Sequence, residues 1–500
     1  MIRAKRVFTN SYLGIIYYTI NAISGFIIPY FILTYFGSRY NGLIAAITHF
    51  LAFAVLLQVG MPGIMQSALF NPLAEKNVKQ VSSIVNTAKH FYLKVTLLYF
   101  MLVIIFTIIF PITFNEDIDK WFVASLVITI SVTSFSQHLM SAVYLNLLSA
   151  DQRVGMISVV SSIKVLSATL VTIIMIYNGF GIISIKIATG FLFVSAAYYI
   201  IFYAKRHYVI DRNIPKNDSF MKQRWDNFAQ EVAAFVSTSM PFIVMSIFSS
   251  VYEISVFAVY NFIFIGVSGL FYSLTRSIPV VFGNMLAKSE HELVKNGLKI
   301  YEQIVFIFTT FFMGVTVVSA VPFAQIFTAN VIDADYSRPF FVILFTVVWM
   351  FRFFMTPYAG IVFAGGHFRQ TRNPAIIEII INVVITVVLI HGFGIIGIAL
   401  GGLISSTYRC ICYAVYVSRH MVKRKILYFI KRVFISLMIV FITFVFFTLL
   451  PLPVAQNYLH WAINSSIVSI FILMIIILFE ITFYQSDLKV LLRMIKHSLT

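Results

Sequence analysis

The chain has 500 residues, of which 60% are hydrophobic and only 11% are charged, and its mean hydropathy is +0.93. Soluble domains are about one quarter charged, and a soluble core could not bury so much Ile, Phe, Val and Leu. A bilayer accepts this surface, because there the apolar side chains face lipid. The composition therefore excludes a soluble globular protein and predicts an all-α polytopic membrane protein.

The net charge of +18 does not require a nucleic-acid partner. The basic residues lie in short segments between apolar runs, so membrane topology accounts for most of them. Cys410 and Cys412 are two positions apart on a predicted helix and point to nearly opposite sides, so we expect no disulfide and no metal or redox site. The N-terminal apolar run is longer than that of a signal peptide, and we expect the first helix to be retained.

Apolar segments long enough to cross a bilayer, which takes about 20 residues, follow one another along the whole chain. Apolar runs continue through five prolines, which predicts kinks rather than loops at Pro29, Pro62, Pro241, Pro279 and Pro357. We predict about fourteen transmembrane helices, at 11–36, 42–69, 91–114, 121–148, 156–178, 182–204, 231–250, 254–287, 301–327, 338–364, 374–391, 394–418, 429–450 and 459–484.

The charges of the loops test this count. With the N-terminus in the cytoplasm, the predicted cytoplasmic segments hold 28 of the 36 Lys and Arg residues, whereas the external loops hold only Arg39, Lys120 and Arg338. The external loops also hold acidic clusters at 116–119 and 333–335. This asymmetry follows the positive-inside rule. One missed or extra helix would invert every later loop, so the charges support the helix count and place both termini in the cytoplasm.

An internal repeat divides the chain. Residues 179–207 and 392–420 both begin with Gly-Phe-Gly-Ile-Ile and both end in Arg-His, at a constant offset of 213. The turns 149–153 and 364–370 occupy equivalent places upstream, at an offset two or three residues larger. The alternative is that two unrelated Gly-rich turns share five residues by chance.

A period that contains six helices gives two copies of the same orientation, as in transporters with parallel repeats, whose substrate site lies between the halves. We therefore predict two six-helix lobes related by a parallel repeat, plus two C-terminal helices. The expected domains are an N-terminal lobe at 1–204, a cytoplasmic linker at 205–230, a C-terminal lobe at 231–420, and the last two helices with a cytoplasmic tail at 421–500.

Five basic residues lie within predicted spans: Lys164, Lys186, Arg276, Arg352 and Arg409. Lys186 is close to an external helix end and can extend to the interface. The other four lie near mid-membrane depth, where charge is costly and faces a bundle interior or an aqueous cavity. Small and hydroxyl residues share their helix faces, which is typical of a side that faces protein or water. We expect these four to line a central cationic cavity, and Arg and Lys suit an anionic substrate such as a phosphate.

The alternative is that these cations pair with buried acids. Glu378 is the one acid deep within a predicted span, and it is either a coupling-ion site or the salt-bridge partner of an arginine. Three other acids lie near cytoplasmic helix ends: Glu231, Glu302 and Glu480. His49 and His138 also lie within spans and are candidates for coupling, although an isolated intramembrane His more often packs or forms hydrogen bonds.

Motifs of soluble enzymes are not recognisable. The sequence shows no nucleotide-binding loop, metal-ligand cluster, nucleophile motif or pair of catalytic carboxylates. The Gly-Phe-Gly-Ile-Ile turns are too short for a nucleotide site. We therefore expect no enzyme activity, no cofactor and no bound metal.

The chain resembles the O-antigen and capsule-type polysaccharide repeat-unit flippases, the polysaccharide transporter family of the MOP superfamily. The resemblance covers nearly the whole chain and rests on the fourteen helices and the six-plus-six repeat. It also rests on Phe-Gly-Ser-Arg-Tyr-Asn-Gly at 36–42, Leu-Ser-Ala-Asp-Gln-Arg at 148–153, and the two Gly-Phe-Gly-Ile-Ile turns.

This resemblance implies that the chain moves an undecaprenyl-pyrophosphate-linked oligosaccharide repeat unit across the bacterial cytoplasmic (inner) membrane by alternating access. The cavity cations would hold the pyrophosphate, and the sugars would cross in an aqueous groove. A polysaccharide polymerase and glycosyltransferases would be its protein partners. The identity of the sugar and the energy source, whether protons, sodium or membrane potential, stay open.

Three alternatives remain. Lipid II flippases of the same superfamily place an Arg cluster early in the chain, whereas the first predicted span here has no charge. Multidrug exporters of the superfamily usually have twelve helices and acidic cavities for cationic drugs. A membrane-embedded polymerase or glycosyltransferase would need a large external loop or domain, and the predicted external loops here are only about ten residues long.

Overall fold

The computed structural model describes residues 2–113, 118–216, 228–275, 278–288, 290–367 and 369–485. Within these ranges every regular element is helical, because near-continuous apolar segments satisfy their backbone hydrogen bonds internally. Thirteen of the described helices are long and apolar enough to cross a membrane. The all-α polytopic membrane fold is therefore confirmed.

The described helices are seventeen α-helices, two of which continue into π-helical turns at Ser136–Met140 and Val417–Met421. In chain order they are α1 (Ile2–Leu51), α2 (Phe53–Leu57), α3 (Met61–Ala74), α4 (Val78–Thr113), α5 (Lys120–Phe135), α6 (Ala142–Ala150), α7 (Val154–Tyr177), α8 (Ile182–His207), α9 (Phe228–Phe248), α10 (Val251–Thr275), α11 (Ile278–Ala287), α12 (His291–Phe327), α13 (Pro339–Ala364), α14 (Arg372–Phe393), α15 (Ile395–Tyr416), α16 (Leu427–Leu449) and α17 (Tyr458–Phe483).

The long helix α1 contains the first predicted span and the start of the second. Gly37 interrupts it with φ 81° and ψ 177°, a conformation that residues with a Cβ rarely adopt. Once α1 is divided at Gly37, the thirteen membrane-length helices correspond to the fourteen predicted segments.

The second predicted span, 42–69, is less regular than expected. It consists of the end of α1, the short α2 and part of α3, with a turn at 58–60 in which Gly60 has φ 74°. The predicted kink at Pro62 is wrong, because this proline lies in the first turn of α3, where its missing N–H needs no partner. Three other prolines lie inside continuous helices, as predicted: Pro29, Pro241 and Pro357.

The eighth predicted span, 254–287, forms two helices, α10 and α11. Residues 276 and 277, between these two helices, lie outside the described residues, and Arg276 is one of them. Pro279 lies in α11.

The chain forms two compact units, Met1–Ser255 and Val256–Thr500. In the first, α7 packs against α1 and α8, and α8 packs against α5. In the second, α15 packs against α13 and α14, and α12 packs against α13, α16 and α17. Helix α9 belongs to the first unit, and the division of the chain into the four predicted domains stays a prediction.

The predicted repeat has a counterpart in local contacts. Helices α8 and α15 begin 213 residues apart, at the end of the two matching Gly-rich turns. Near the other end of α8, the rings of Tyr203 and His207 stack with centroids 4.0 Å apart. At the equivalent place on α15, the rings of Tyr416 and His420 stack with centroids 4.9 Å apart. The two units thus share a tyrosine–histidine stack at matching positions.

The same two tyrosines fix the turns that the repeat pairs upstream. Arg153 donates a hydrogen bond from Nη1 to the Tyr203 hydroxyl over 3.1 Å. His367 Nδ1 lies 2.7 Å from the Tyr416 hydroxyl. In each unit, a turn predicted to be cytoplasmic is therefore held to the end of the second helix after it. This helix is α8 in the first unit and α15 in the second.

The two C-terminal helices are anchored to α12 in the second unit. A Cβ at Gly314 would lie 1.8 Å from Cδ1 of Ile472, so a larger residue there would force the buried Ile472 side chain to move. Ile472 belongs to a buried apolar cluster with Ile439 and Ile476. Gln303 on α12 donates a 2.7 Å hydrogen bond to the Glu480 carboxylate on α17. The appendage is thus held by both apolar packing and a buried polar contact.

Candidate functional site

The second unit contains a buried ion pair between adjacent helices. Arg409 on α15 donates from Nη1 to Oε2 of Glu378 on α14, and the two side chains are only 8% and 10% exposed. The Arg409 guanidinium also lies over the Tyr413 ring, 5.5 Å from its centroid. Glu378 is thus an ion-pair partner of Arg409, since a buried charge needs a partner of opposite sign, and a role of Glu378 in ion coupling stays a prediction.

Close packing of α14 and α15 sets the register of this ion pair. Asn382 donates a 3.0 Å hydrogen bond to the Ser405 hydroxyl, one helical turn from the pair. A Cβ at Gly401 would lie 2.2 Å from the Thr386 hydroxyl, so the two backbones approach as only glycine allows. Small and hydroxyl residues on this face were the sequence signal, and they mark a helix interface.

Arg352 on α13 belongs to the same charged group. Its guanidinium lies 4.9 Å from the centroid of the Trp349 ring, a cation–π contact. It is also within electrostatic range of Glu378 and Arg409. These three charged residues therefore form one cluster with two cations and one carboxylate, which we call the α13–α15 cluster. Their net charge is positive, so the cluster attracts an anion even with Glu378 ionised.

Lys164 lies in the first unit, on α7. Its ammonium lies 4.6 Å from the centroid of the Phe193 ring on α8. Its side chain lines a cavity of about 510 Å³ between α7 and α8. His138, on the π-helical turn that follows α5, is within electrostatic range of Lys164. Such π-helical turns are often found at functional sites.

His49 has a different environment. Its ring stacks on Phe242 with centroids 3.7 Å apart and an interplanar angle of 5°. Its Nδ1 lies 3.3 Å from the Ser239 hydroxyl. These contacts join α1 to α9 and account for the residue as a packing and hydrogen-bonding group, while a role of His49 or His138 in ion coupling stays a prediction.

Three of the four predicted cations lie among the described residues. Arg352 and Arg409 are close together in the second unit, and Lys164 has its own surroundings in the first. Arg276 falls at 276–277, which the structure does not describe. A substrate-binding role for all four stays a prediction.

Sequence reasoning missed a second ion pair, near helix ends predicted to be cytoplasmic. Arg424, counted as a loop charge, pairs through Nη2 with the buried carboxylate of Glu302 on α12. The Tyr358 hydroxyl accepts from the same Nη2 at 3.4 Å. Burial disfavours the charged guanidinium, but the Glu302 carboxylate outweighs it and raises the pKa of Arg424. The signal in the sequence for this ion pair was Glu302 itself, because an acid at the end of an apolar run requires a cation as its partner.

A third polar network lies beside the turn after α6. Arg153 donates from Nε to Asp151 over 2.8 Å, and the Tyr208 hydroxyl donates to the same carboxylate oxygen over 2.5 Å. Burial and this hydrogen bond raise the pKa of Tyr208 above its usual value. The segment that follows is tied to α4, where Asn86 donates to the carbonyl oxygens of Asp211 and Ile214. The start of the predicted linker is therefore structurally part of the first unit.

Among the residues that the structure describes, no group of three or more His, Cys, Asp and Glu side chains is placed to hold a metal ion. Cys410 is buried and Cys412 is half-buried, and they form no disulfide.

Solved structures show the same fold. A lipid II flippase, MurJ, in an inward closed conformation aligns with 94% of this chain and 98% of its own, with a TM-score of 0.73 and 18% sequence identity. An inward-facing multidrug resistance MATE family transporter of the MOP superfamily aligns with 80% of this chain and 94% of its own, at a TM-score of 0.59 and 14% identity. The MATE multidrug transporter DinF-BH in complex with R6G aligns at a TM-score of 0.58 and 14% identity, over 84% of this chain and 97% of its own.

No protein-family model and no curated protein matches the sequence. At these identities the structural matches establish the architecture alone. The chain thus has the fold that MurJ and the MATE transporters share, and the class of its substrate must be argued from its own residues.

Proposed function

We propose that this protein is a flippase of the bacterial cytoplasmic membrane that moves an undecaprenyl-pyrophosphate-linked oligosaccharide repeat unit from the inner to the outer face. It acts by alternating access and performs no covalent chemistry. Both termini are cytoplasmic in this proposal, and the polymerase and glycosyltransferases of the same polysaccharide are its functional partners.

The observation that carries the proposal is the excess of cations over carboxylates at mid-membrane depth. Lys164, Arg352 and Arg409 lie within membrane helices, and among the described residues of these helices Glu378 is the one acid placed comparably deep. Charge at this depth is costly and is retained where it serves a substrate or ion pathway. An excess of positive charge favours an anionic substrate. It disfavours cationic drugs, which multidrug exporters with acidic cavities carry.

The pyrophosphate is the part of the substrate that these cations would bind. A guanidinium presents paired N–H donors to two oxygens at once, which suits phosphate better than a point charge does. In the α13–α15 cluster, an incoming pyrophosphate competes with Glu378 for Arg409 while Arg352 contributes a second positive charge. Arg276 is retained in the proposal as a fourth cation.

The fold similarity supports a lipid-linked substrate. MurJ, which aligns over 98% of its own length, is a lipid II flippase. Its substrate class, a sugar linked to a lipid, is the class that we propose here. The MATE multidrug transporters align over a smaller share of this chain, 80% in the inward-facing structure.

A transport measurement tests the proposal. Cells that lack the protein should accumulate lipid-linked repeat units on the inner face of the membrane. A glycosidase added to spheroplasts of these cells should not cleave the units, and expression of the protein from a plasmid should restore cleavage. Purified protein in liposomes should expose a fluorescent lipid-linked repeat unit to the same enzyme. External accessibility that does not depend on the protein would overturn the proposal, and accumulation of externally accessible but unpolymerised units would assign it to a polymerase.

Lipid II is the second candidate substrate, because the MurJ fold match extends over nearly the whole of both chains. Lipid II carries the same polyprenyl pyrophosphate, so the cations bind it by the same chemistry. Growth of cells depleted of their lipid II flippase distinguishes the two: we expect no rescue by this protein. Rescue at normal expression would replace the repeat unit with lipid II as the substrate.

A further inference from the structure

The first unit contains an open groove, whereas the equivalent place in the second unit holds the ion pair of Glu378 and Arg409. The groove lies between α7 and α8, and its volume of about 510 Å³ is within the range of small-molecule sites, roughly 300–1,000 Å³. Most of its lining is apolar, including Met156, Val159, Ile163 and Ala196. Lys164 is the one charged residue among those that line it. We call it the α7–α8 groove.

The α7–α8 groove runs from a helix end towards mid-membrane. Its lining on α7 extends from Met156 to Ser167, which spans roughly 16 Å at 1.5 Å per residue. Met156 is close to the end of α7 that is predicted to be cytoplasmic, so the groove occupies the inner half of the membrane. Lys164 lies towards the deeper end, beside the Ser167 hydroxyl. An amphiphile from the inner leaflet would therefore meet apolar walls and a cation at depth.

The surrounding helices supply no carboxylate for Lys164. Along the described helices α1 to α8 the sequence contains no Asp or Glu. Asp151, the nearest acid along the chain, is engaged by Arg153 and Tyr208 at the helix end. A cation at this depth in an apolar groove is strongly favoured to take an anion.

The repeat shows what occupies the equivalent place in the second unit. The constant offset of 213 places Ala196 on Arg409. One helix upstream, where the offset is two or three residues larger, Lys164 falls on Ile379 or Ile380, one or two residues after Glu378. In the second unit, a carboxylate and a guanidinium fill the space between the paired helices. In the first unit, alanine stands at the place of the guanidinium, and Lys164 lies near the place of the carboxylate, so the cavity there carries a positive charge.

We propose that the α7–α8 groove binds the phosphate end of a polyprenyl phosphate lipid, with the phosphate on Lys164 and the first isoprenyl units along the apolar wall. The phosphate takes the electrostatic place that the Glu378 carboxylate holds in the other unit. The groove volume of about 510 Å³ is small for a lipid, so we expect it to admit one chain rather than two. This inference rests on the proposed function and deepens it, because it names a site for the lipid carrier.

Lipid binding by the full-length protein in detergent tests the site, with bound lipid counted by native mass spectrometry. The probes are undecaprenyl phosphate, undecaprenol, which has no phosphate, and dioleoyl phosphatidic acid, which has two chains. The wild type should retain undecaprenyl phosphate in preference to both others. Lys164→Gln should reduce retention about tenfold, because a charge-assisted hydrogen bond is lost, and Lys164→Arg should restore most of it.

A filling variant tests the apolar part of the site independently of charge. Ala196→Phe should reduce retention by a similar factor, because the ring occupies the groove. The matched controls are Lys186→Gln, which removes another intramembrane lysine, and Ile187→Phe, which adds a ring on an exposed face of α8. Both controls should bind like the wild type. Equal retention by Lys164→Gln, or equal retention of undecaprenol or phosphatidic acid by the wild type, would overturn the proposal.

Export of the repeat unit, measured in parallel, separates this inference from the proposed function. Lys164-dependent retention of undecaprenyl phosphate in a protein that exports no repeat unit would leave the site standing and remove the function. Normal export by a Lys164→Gln protein that no longer binds the lipid would overturn the groove as a carrier site and leave the function standing.

Discussion

Glu378 and Arg409 face each other across the hairpin of α14 and α15 and form a buried ion pair. They are 31 residues apart in sequence, and the tight turn at Gly394, with φ 54°, brings their helices together. Arg352 lies within electrostatic range of the pair and stacks on Trp349. Arg409 thus forms an ion pair with this carboxylate, and Arg352 adds a second positive charge beside it.

The first prediction separates the structural and the transport role of this ion pair. Arg409→Ala should destabilise the protein by about 3–5 kcal/mol, because it leaves the buried Glu378 carboxylate without its partner. Glu378→Gln added to Arg409→Ala should recover much of this loss, because the uncompensated charge is removed. Thermal unfolding of the fluorescently tagged protein in detergent measures both. A double variant no more stable than Arg409→Ala would show that the ion pair does not determine stability.

The positions of the membrane helices could be predicted from the sequence because each needs only a long apolar run, and loop charges fixed their number. The geometry of the ion pairs could not, because it depends on the register of one helix against another. The sequence left both coupling and pairing open for Glu378, and its contact with Arg409 became visible only in the structure. Arg424 looked like an ordinary loop charge, and its pairing with Glu302 depends on the fold of the segment after α15.

The open groove could not be predicted at all. The sequence showed Lys164 as an intramembrane cation, and the repeat placed Ala196 on Arg409. The consequence of a small residue at that place is a cavity, which appears only when α7 and α8 are packed together. The repeat nevertheless explains the difference between the two units once the contacts are known.

The second prediction concerns the contact of α12 with α17. Gly314→Ala should destabilise the protein by about 1–3 kcal/mol, because a Cβ would overlap the Ile472 side chain. Ile472→Ala in the same protein should relieve the overlap, so the double variant should lose less than the sum of the two single losses. Gly269→Ala is the matched control in the same unit, since a Cβ there meets nothing within 4 Å. Additive losses at Gly314 and Ile472 would contradict the proposed overlap.

The third prediction is a pH dependence at the end of α8. The pKa of Tyr208 is raised in the folded protein by burial and by Asp151, so folding favours its neutral form. The contribution of Tyr208 to the free energy of unfolding is therefore fully present below the ordinary tyrosine pKa of about 10. This contribution is lost as the pH rises above that value. The difference in unfolding temperature between wild type and Tyr208→Phe should shrink between pH 9 and pH 11. A constant difference over this window would show that Tyr208 ionisation is not linked to folding.

The fourth prediction concerns topology. Reporter fusions within 205–230 and after Thr500 should report the cytoplasm, because these segments are rich in Lys and Arg. A fusion at Asp335, between α12 and α13, should report the external side. A cytoplasmic reading at Asp335 would break the alternation of fourteen predicted segments.

The fifth prediction tests Arg352 as a substrate-binding cation. Arg352→Ala should reduce export of the repeat unit at least about tenfold at normal protein abundance, because a charge-assisted contact to the pyrophosphate is lost while Arg409 still balances Glu378. Arg352→Lys should recover export only in part, since it keeps the charge and loses the paired donors. Arg352→Glu should be worse than Ala, because it repels the pyrophosphate.

Export must be measured beside membrane abundance for each of these variants. Arg338→Ala is the control, because this arginine pairs with Asp335 in a loop predicted to be external, and it should leave export unchanged. If Arg352 only stabilises the fold, Arg352→Ala should instead lower abundance and export together, and Arg352→Lys should restore both. Arg352→Glu would place a second carboxylate beside Glu378, and both would repel the pyrophosphate. Normal export by this variant at normal abundance would therefore exclude a role of the Arg352 charge in substrate binding.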